Sequence, residues 1–161
     1  MPGANNEVER IATIRVSQDI GAPIHNVFAR FSDVEHGTEY VSGIKKIDMM
    51  SLGPLHLGSR WNETREVLGR VDDAEMEVTA FEQDKAYTIT HHKAGFRIDT
   101  TFTFEPISTG TRVSVEFGLN RHGLVAPLLA PLEWAMAGRV REVLHHDLTD
   151  LKGSIEGATS A

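Results

Sequence analysis

The chain has 161 residues, 40% of them hydrophobic and 24% charged, enough for one domain that buries roughly 70% of its unfolded surface. Its net charge of −7 argues against nucleic acid or an anionic membrane surface as main partner, because both are polyanions. With no cysteine, disulfides, thiol nucleophiles and cysteine-ligated metals are excluded. No run reaches the length of a membrane span, so no stable membrane insertion is expected. Residues 1–8 lack the apolar stretch of a signal peptide, and a cytoplasmic protein is expected. The small polar ends, Met1–Asn6 and Gly153–Ala161, read as frayed. One domain over 1–161, ordered over about 8–153, is the expectation.

Arg10–Ile20 reads as a first strand, in which Ile14 and Val16 are too few to fix the phase. Gly21-Ala22-Pro23 breaks it, and Pro23 suits the first turn of a helix. Ile24, Val27, Phe28 and Phe31 lie three and four apart and give that helix one apolar face. A second helical turn is placed near Val34–Tyr40. Strands follow at Ile44–Leu52, Arg60–Leu68, Val71–Glu82, Ala86–Lys93, Gly95–Pro106 and Thr111–Leu119. Their short loops imply antiparallel hairpins.

From Phe96 to Leu119 apolar residues alternate: Phe96, Ile98, Phe102 and Phe104, then Val113, Val115, Phe117 and Leu119, share one face. The period then changes. Leu129, Leu132, Met136, Val140, Val143, Leu144, Leu148 and Leu151 form one stripe on a helix from Pro127 to about Lys152. The pattern is α+β, a half-buried sheet closed by one long helix.

Hairpin turns propose cross-strand partners. Ala94-Gly95 as a two-residue turn sets Lys93 opposite Phe96, His91 opposite Ile98, Ile89 opposite Thr100 and Tyr87 opposite Phe102. Gln83-Asp84 sets Met76 opposite His91 and Val78 opposite Ile89. Gly69-Arg70 sets Glu63 opposite Met76, Trp61 opposite Val78 and Arg65 opposite Ala74. Glu63, Arg65 and His91 then share the inner face with the apolar core. Ionised groups are costly to bury dry, so they sit inside only when paired or wetted. Glu63 and Arg65 are either a structural ion pair or polar anchors for a ligand in a cavity. His91 is either a satisfied core histidine or a base.

Other chemistry finds little support. His91 and His92 point to opposite faces of a strand, and His145 and His146 lie about 100° apart on a helix. Glu142 and His146 alone make a weak metal site, so no metal and no cofactor are expected. Asp73, Glu75 and Glu77 read as a solvated outer stripe. Arg97, Asp99, Glu105, Arg112 and Glu116 read as outer-face pairs. Leu124–Leu132 is apolar with prolines at 127 and 131. It reads as a kinked, packed helix entry, or as a gate, a membrane-touching patch or a self-association surface. A homodimer stays open, and Trp134 lies off the main stripe.

The element order, with Ile20-Gly21-Ala22-Pro23 leading into Val27-Phe28, Asp33 after Phe31, Gly58-Ser59-Arg60-Trp61 opening a strand, and Asp147-Leu148-Thr149-Asp150-Leu151-Lys152 near the end, resembles the START/Bet v 1-like (SRPBCC) superfamily. More narrowly it resembles the bacterial polyketide cyclase/dehydrase and lipid-transport family, over about residues 8–156. Many members carry a Trp shortly after the Asp33 position; here Tyr40 stands near that place. The glycine-rich loop of plant members is absent.

The resemblance implies a helix-grip fold. In it a seven-stranded curved antiparallel sheet, two short helices and a long C-terminal helix enclose an apolar cavity for lipids, polyketides or quinone-like molecules. Trp61, Met76, Ile89, Ile98, Phe102, Phe117, Leu132, Met136 and Val140 are the expected walls. Tyr40, Glu63, Arg65, His91 and Thr100 are the expected polar anchors. A cyclase/dehydratase would use His91 as general base with Glu63 or Arg65 beside it. A third reading is an interaction module without a ligand.

Overall fold

The computed structural model describes residues 8–67, 69–122 and 130–159, with side chains of the last segment from residue 137 to 158. Expectations placed on Leu124–Leu129 lie outside the described residues, as do those on the side chains of Leu132, Trp134 and Met136. The elements are β1 (Val8–Ile20), α1 (Ile24–Ser32), α2 (Gly37–Tyr40), β2 (Ile44–Met49), β3 (Arg60–Val67), β4 (Arg70–Glu82), β5 (Ala86–Lys93), β6 (Phe96–Ile107), β7 (Gly110–His122) and α3 (Ala130–Thr159). The strands form one antiparallel sheet in the order β1-β7-β6-β5-β4-β3-β2, so the chain has the expected helix-grip architecture. No described helix is long and apolar enough to cross a membrane.

Hairpin chemistry sets most of the register. Ala94 and Gly95 both adopt positive φ, 50° and 82°, as a two-residue hairpin turn with the right twist requires. All four expected β5–β6 pairs are present, His91 opposite Ile98 among them. Between β3 and β4 the turn falls one residue earlier, with Val67 opposite Arg70, Trp61 opposite Met76, Glu63 opposite Ala74 and Arg65 opposite Asp72. The expected pairs Glu63–Met76, Trp61–Val78 and Arg65–Ala74 are thus off by two residues. An even offset leaves every side chain on its face, so Glu63 and Arg65 still point inward.

Bulges curve the sheet and move side chains between faces. The β4–β5 connection is a three-residue loop, with Glu82 opposite Ala86, and the register shifts again between Val78 and Ala80. The extra loop residue and the bulge cancel, so Val78 meets Ile89 as expected. Between them the parity is reversed. Phe81 therefore turns inward and meets Phe28 edge-on at 5.7 Å. A similar shift between Ile44 and Lys46 lets Ile44 and Ile47, three residues apart, face the same interior. β2 ends at Met49, short of the expected Leu52, and Leu52 is 94% exposed.

An aromatic cluster fastens α1 to the sheet. Phe28 packs edge-on against Phe104 and Tyr87. Tyr87 stacks on Phe102 at 4.9 Å, and its hydroxyl donates to the Phe31 carbonyl at 2.8 Å. Fully burying one such ring contributes about 2 kcal/mol.

α3 runs to Thr159, seven residues past its expected end at Lys152. Gly153 and Gly157 do not stop it, because Leu148, Leu151 and Ile155 are buried one turn after another. The Glu156 carboxylate also accepts the Gly21 N–H at 2.9 Å, and Lys152 donates to the Asp19 carbonyl.

Gly110 opens β7 with φ 143°, and a Cβ there would lie 2.1 Å from the Ile20 carbonyl oxygen. Gly110→Ala is expected to destabilise the fold by about 3 kcal/mol or more. Gly153, in open space on α3, gives the opposite sign, with Gly153→Ala stabilising by roughly 0.5–1 kcal/mol. Urea unfolding of both variants checks the pair.

Candidate functional site

The sheet curls around a cavity of about 520 Å³, bordered by α1, α2 and α3. The hollow follows from how α3 docks. Its C-terminal turns are buried through Leu148, Leu151 and Ile155. Val140, Val143 and Leu144, further back, border the cavity, and Leu148 and Leu151 form its floor at the buried end of the helix. Of the expected residues, Tyr40, Trp61, Glu63, Arg65, Met76, Ile89, His91, Thr100, Phe102, Phe117 and Val140 line it.

Ile98 does not. It faces His91 and Leu119 across the sheet, and at that level the cavity leans toward β3–β5, leaving Ile98 and Leu119 outside its wall. The expected Leu132 and Met136 side chains lie outside the described residues. Val34, Val41, Ile44 and Ile47 add wall that sequence reasoning missed. The inward turn of Ile47 depends on a bulge that the sequence does not announce.

The polar end of the cavity is a chain of four side chains. The indole N–H of Trp61 donates to Glu63 Oε2 at 3.2 Å. Arg65 Nε donates to Glu63 Oε1 at 2.9 Å, and Arg65 Nη1 donates to Asp147 Oδ2 at 2.8 Å. The side chains of Glu63, Arg65 and Asp147 are 10%, 20% and 19% exposed. Burial opposes the Arg65 charge, but Asp147 and Glu63 outweigh it and hold the guanidinium above its ordinary pKa. Burial pushes the Asp147 carboxyl up, against the pull of Arg65.

Asp147 is a third member that sequence reasoning missed. The signal is present: it sits among Val140, Val143, Leu144, Leu148 and Leu151, at a helical spacing that otherwise carries apolar residues.

His91 lines the cavity near this group. Burial lowers its pKa, while Glu63 pulls the other way. No hydrogen bond reaches its ring among the described residues, so a neutral imidazole faces the cavity. At the helical side, Tyr40 donates to Asp33 Oδ2 at 3.2 Å and His36 Nδ1 lies 2.7 Å from Asp33 Oδ1. The Arg30 guanidinium sits 3.9 Å over the Tyr40 ring, a cation–π contact that orients both. Asp33 holds the exposed His36 above its ordinary pKa.

Two tests follow from this geometry. Arg65→Met strands two carboxylates and is expected to cost roughly 3–5 kcal/mol in urea unfolding. Adding Glu63→Gln and Asp147→Asn should recover part of that loss. For His91 the folded-state pKa lies below the unfolded one, so as pH falls below about 6.5 the unfolded chain takes up the proton first. Stability is then lost with acidification in that window, and His91→Gln should flatten that part of the stability–pH profile.

The family described as polyketide cyclase / dehydrase and lipid transport matches residues 12–156. A comparison with curated proteins finds no match. Among solved structures the chain is similar to TTHA0849 from Thermus thermophilus, at 18% identity and TM-score 0.72, covering 91% of this chain and 99% of that one. It is similar to a START superfamily protein from Mycobacterium smegmatis, at 15% identity and TM-score 0.69, covering 93% and 99%. It is also similar to the major latex-like protein 151 of Panax ginseng, at 12% identity and TM-score 0.69, covering 89% and 97%. At these identities the structures speak for the fold alone, while the family match spans nearly the whole sequence. The chain belongs to the family described as polyketide cyclase / dehydrase and lipid transport.

Proposed function

We propose that this protein binds an apolar small molecule, of lipid, polyketide or quinone-like kind, in the cavity between sheet and α3. The observation that carries this reading is the cavity itself: about 520 Å³, within the roughly 300–1,000 Å³ usual for ligand sites. Its wall is mainly apolar, from Ile89, Phe102, Val115, Phe117, Val140 and Leu144. Two hydrogen-bonded polar clusters mark it, at Glu63–Arg65–Asp147 and at Asp33–Tyr40, with His91 and Thr100 as further polar groups on the wall. That division suits a molecule with a large apolar body and few polar groups.

The neutral, unpartnered imidazole of His91 favours a second reading, a cyclase or dehydratase. A free ring nitrogen facing the cavity can take a proton from an acidic C–H beside a carbonyl. Glu63, which draws charge toward the ring, would then steady the imidazolium. His91→Gln that still binds a polyketone but no longer turns it over supports this reading. Unchanged turnover removes its base.

The carrier reading is tested with N-phenyl-1-naphthylamine, a neutral apolar dye. Titration should show saturable fluorescence, and Ala74→Trp, which puts a ring into the cavity wall, should weaken binding about tenfold. Native mass spectrometry of protein from its own host should show a co-purified apolar mass. No dye binding and no such mass would leave the interaction-module reading in its place.

A further inference from the structure

The charge at the polar end of the cavity limits what head group can enter it. Arg65 is the cation of that end, and two carboxylates already hold it: Glu63 on Nε at 2.9 Å and Asp147 on Nη1 at 2.8 Å. The three groups together carry one net negative charge. Both Glu63 oxygens are in use, one by Arg65 and one by the Trp61 indole. Asp147 uses Oδ2 for Arg65, while Oδ1 accepts no hydrogen bond from any described residue. Oδ1 is not sealed in protein either, because the buried side-chain oxygens of the described residues all have partners. Asp147 lines the cavity, and its Oδ1, next to Gly43, is the charged acceptor of that residue left without a donor.

Of the remaining charged groups of the wall, one acid stands beside this end and two cations stand away from it. Asp72 faces Arg65 across the strands and pairs with Lys93. Arg30 is engaged with Tyr40 and stands near Asp33 on α1. Arg139 is exposed and sits eight residues before Asp147 on α3, about 12 Å along the helix axis.

A ligand carboxylate brought to Arg65 would join two carboxylates around one guanidinium. Like charges in a poorly solvated site repel strongly, and the ligand would also lose its own hydration. A hydroxyl meets the opposite situation, since it supplies the donor that Asp147 Oδ1 lacks.

We propose that the Glu63–Arg65–Asp147 end selects an uncharged, hydroxyl-bearing apolar ligand, of phenol or alcohol type, whose O–H donates to Asp147 Oδ1, and that it rejects apolar carboxylates. This rests on the carrier reading and specifies its ligand class.

Displacement of bound N-phenyl-1-naphthylamine by three matched compounds at pH 7.5 tests it: 2-naphthol, 2-naphthoate and 2-methylnaphthalene. On the wild-type protein 2-naphthol should compete at least tenfold better than either of the others. Asp147→Asn, which keeps the shape and removes one charge, should bring 2-naphthoate up about tenfold and weaken 2-naphthol. The wild-type ranking decides the matter even where the variant fails to fold. Naphthoate competing as well as naphthol, methylnaphthalene matching naphthol, or no displacement of a dye that does bind would each overturn the ligand class and leave the carrier reading standing. A dye that does not bind at all would overturn both.

Discussion

The guanidinium of Arg65 is gripped from two sides, by a carboxylate two residues away on its own strand and by a carboxylate from α3. Much of the interior is organised by that shared cation. A long side chain reaching from sheet to helix spans a gap that apolar packing alone would tend to close. The charges tolerate their position because each finds a partner, and the indole of Trp61 satisfies the oxygen left over. Taken singly, any of these groups would be expensive to hold away from water. Taken together, they form a polar bracket at one end of an otherwise greasy chamber.

The other end of the chamber is held differently. Phe28, Phe31, Tyr87, Phe102 and Phe104 interlock through edge-on and stacked contacts, and α1 is fixed to the sheet by ring packing rather than by charge. α3 is tied down beyond that cluster, where Lys152 and Glu156 reach back to the corner after β1. One region is rigid because it is filled; the other is shaped because it is bridged. The cavity lies between two different kinds of cohesion, which is how a chain of this size keeps both a stable core and an internal cavity.

Much of this is legible in the alternation of Phe96–Leu119 and in the turn at Ala94-Gly95, because a two-residue turn with glycine leaves one register open. The β3–β4 pairing is easily misplaced since Gly69 can occupy either position of a tight turn, yet the error is even and the faces survive it. Phe81 is hidden because no residue type marks the bulge that turns it inward. Asp147 is hidden because the stripe is read for its apolar members, and a carboxylate at a core spacing is passed over. The last turns of α3 are hidden behind Gly153 and Gly157. The helix penalty of a glycine, about 1 kcal/mol, is small beside the burial of Ile155.

The β4–β5 hairpin contains one surplus residue at its tip and one in its strand, each undoing the other. A lineage that dropped the tip residue alone would rotate half the sheet, sending either Phe81 or the Trp61–Glu63–Arg65 side out to solvent. Length changes in this hairpin can therefore be inherited only as matched pairs, and homologues should divide into those that keep both extra residues and those that have neither.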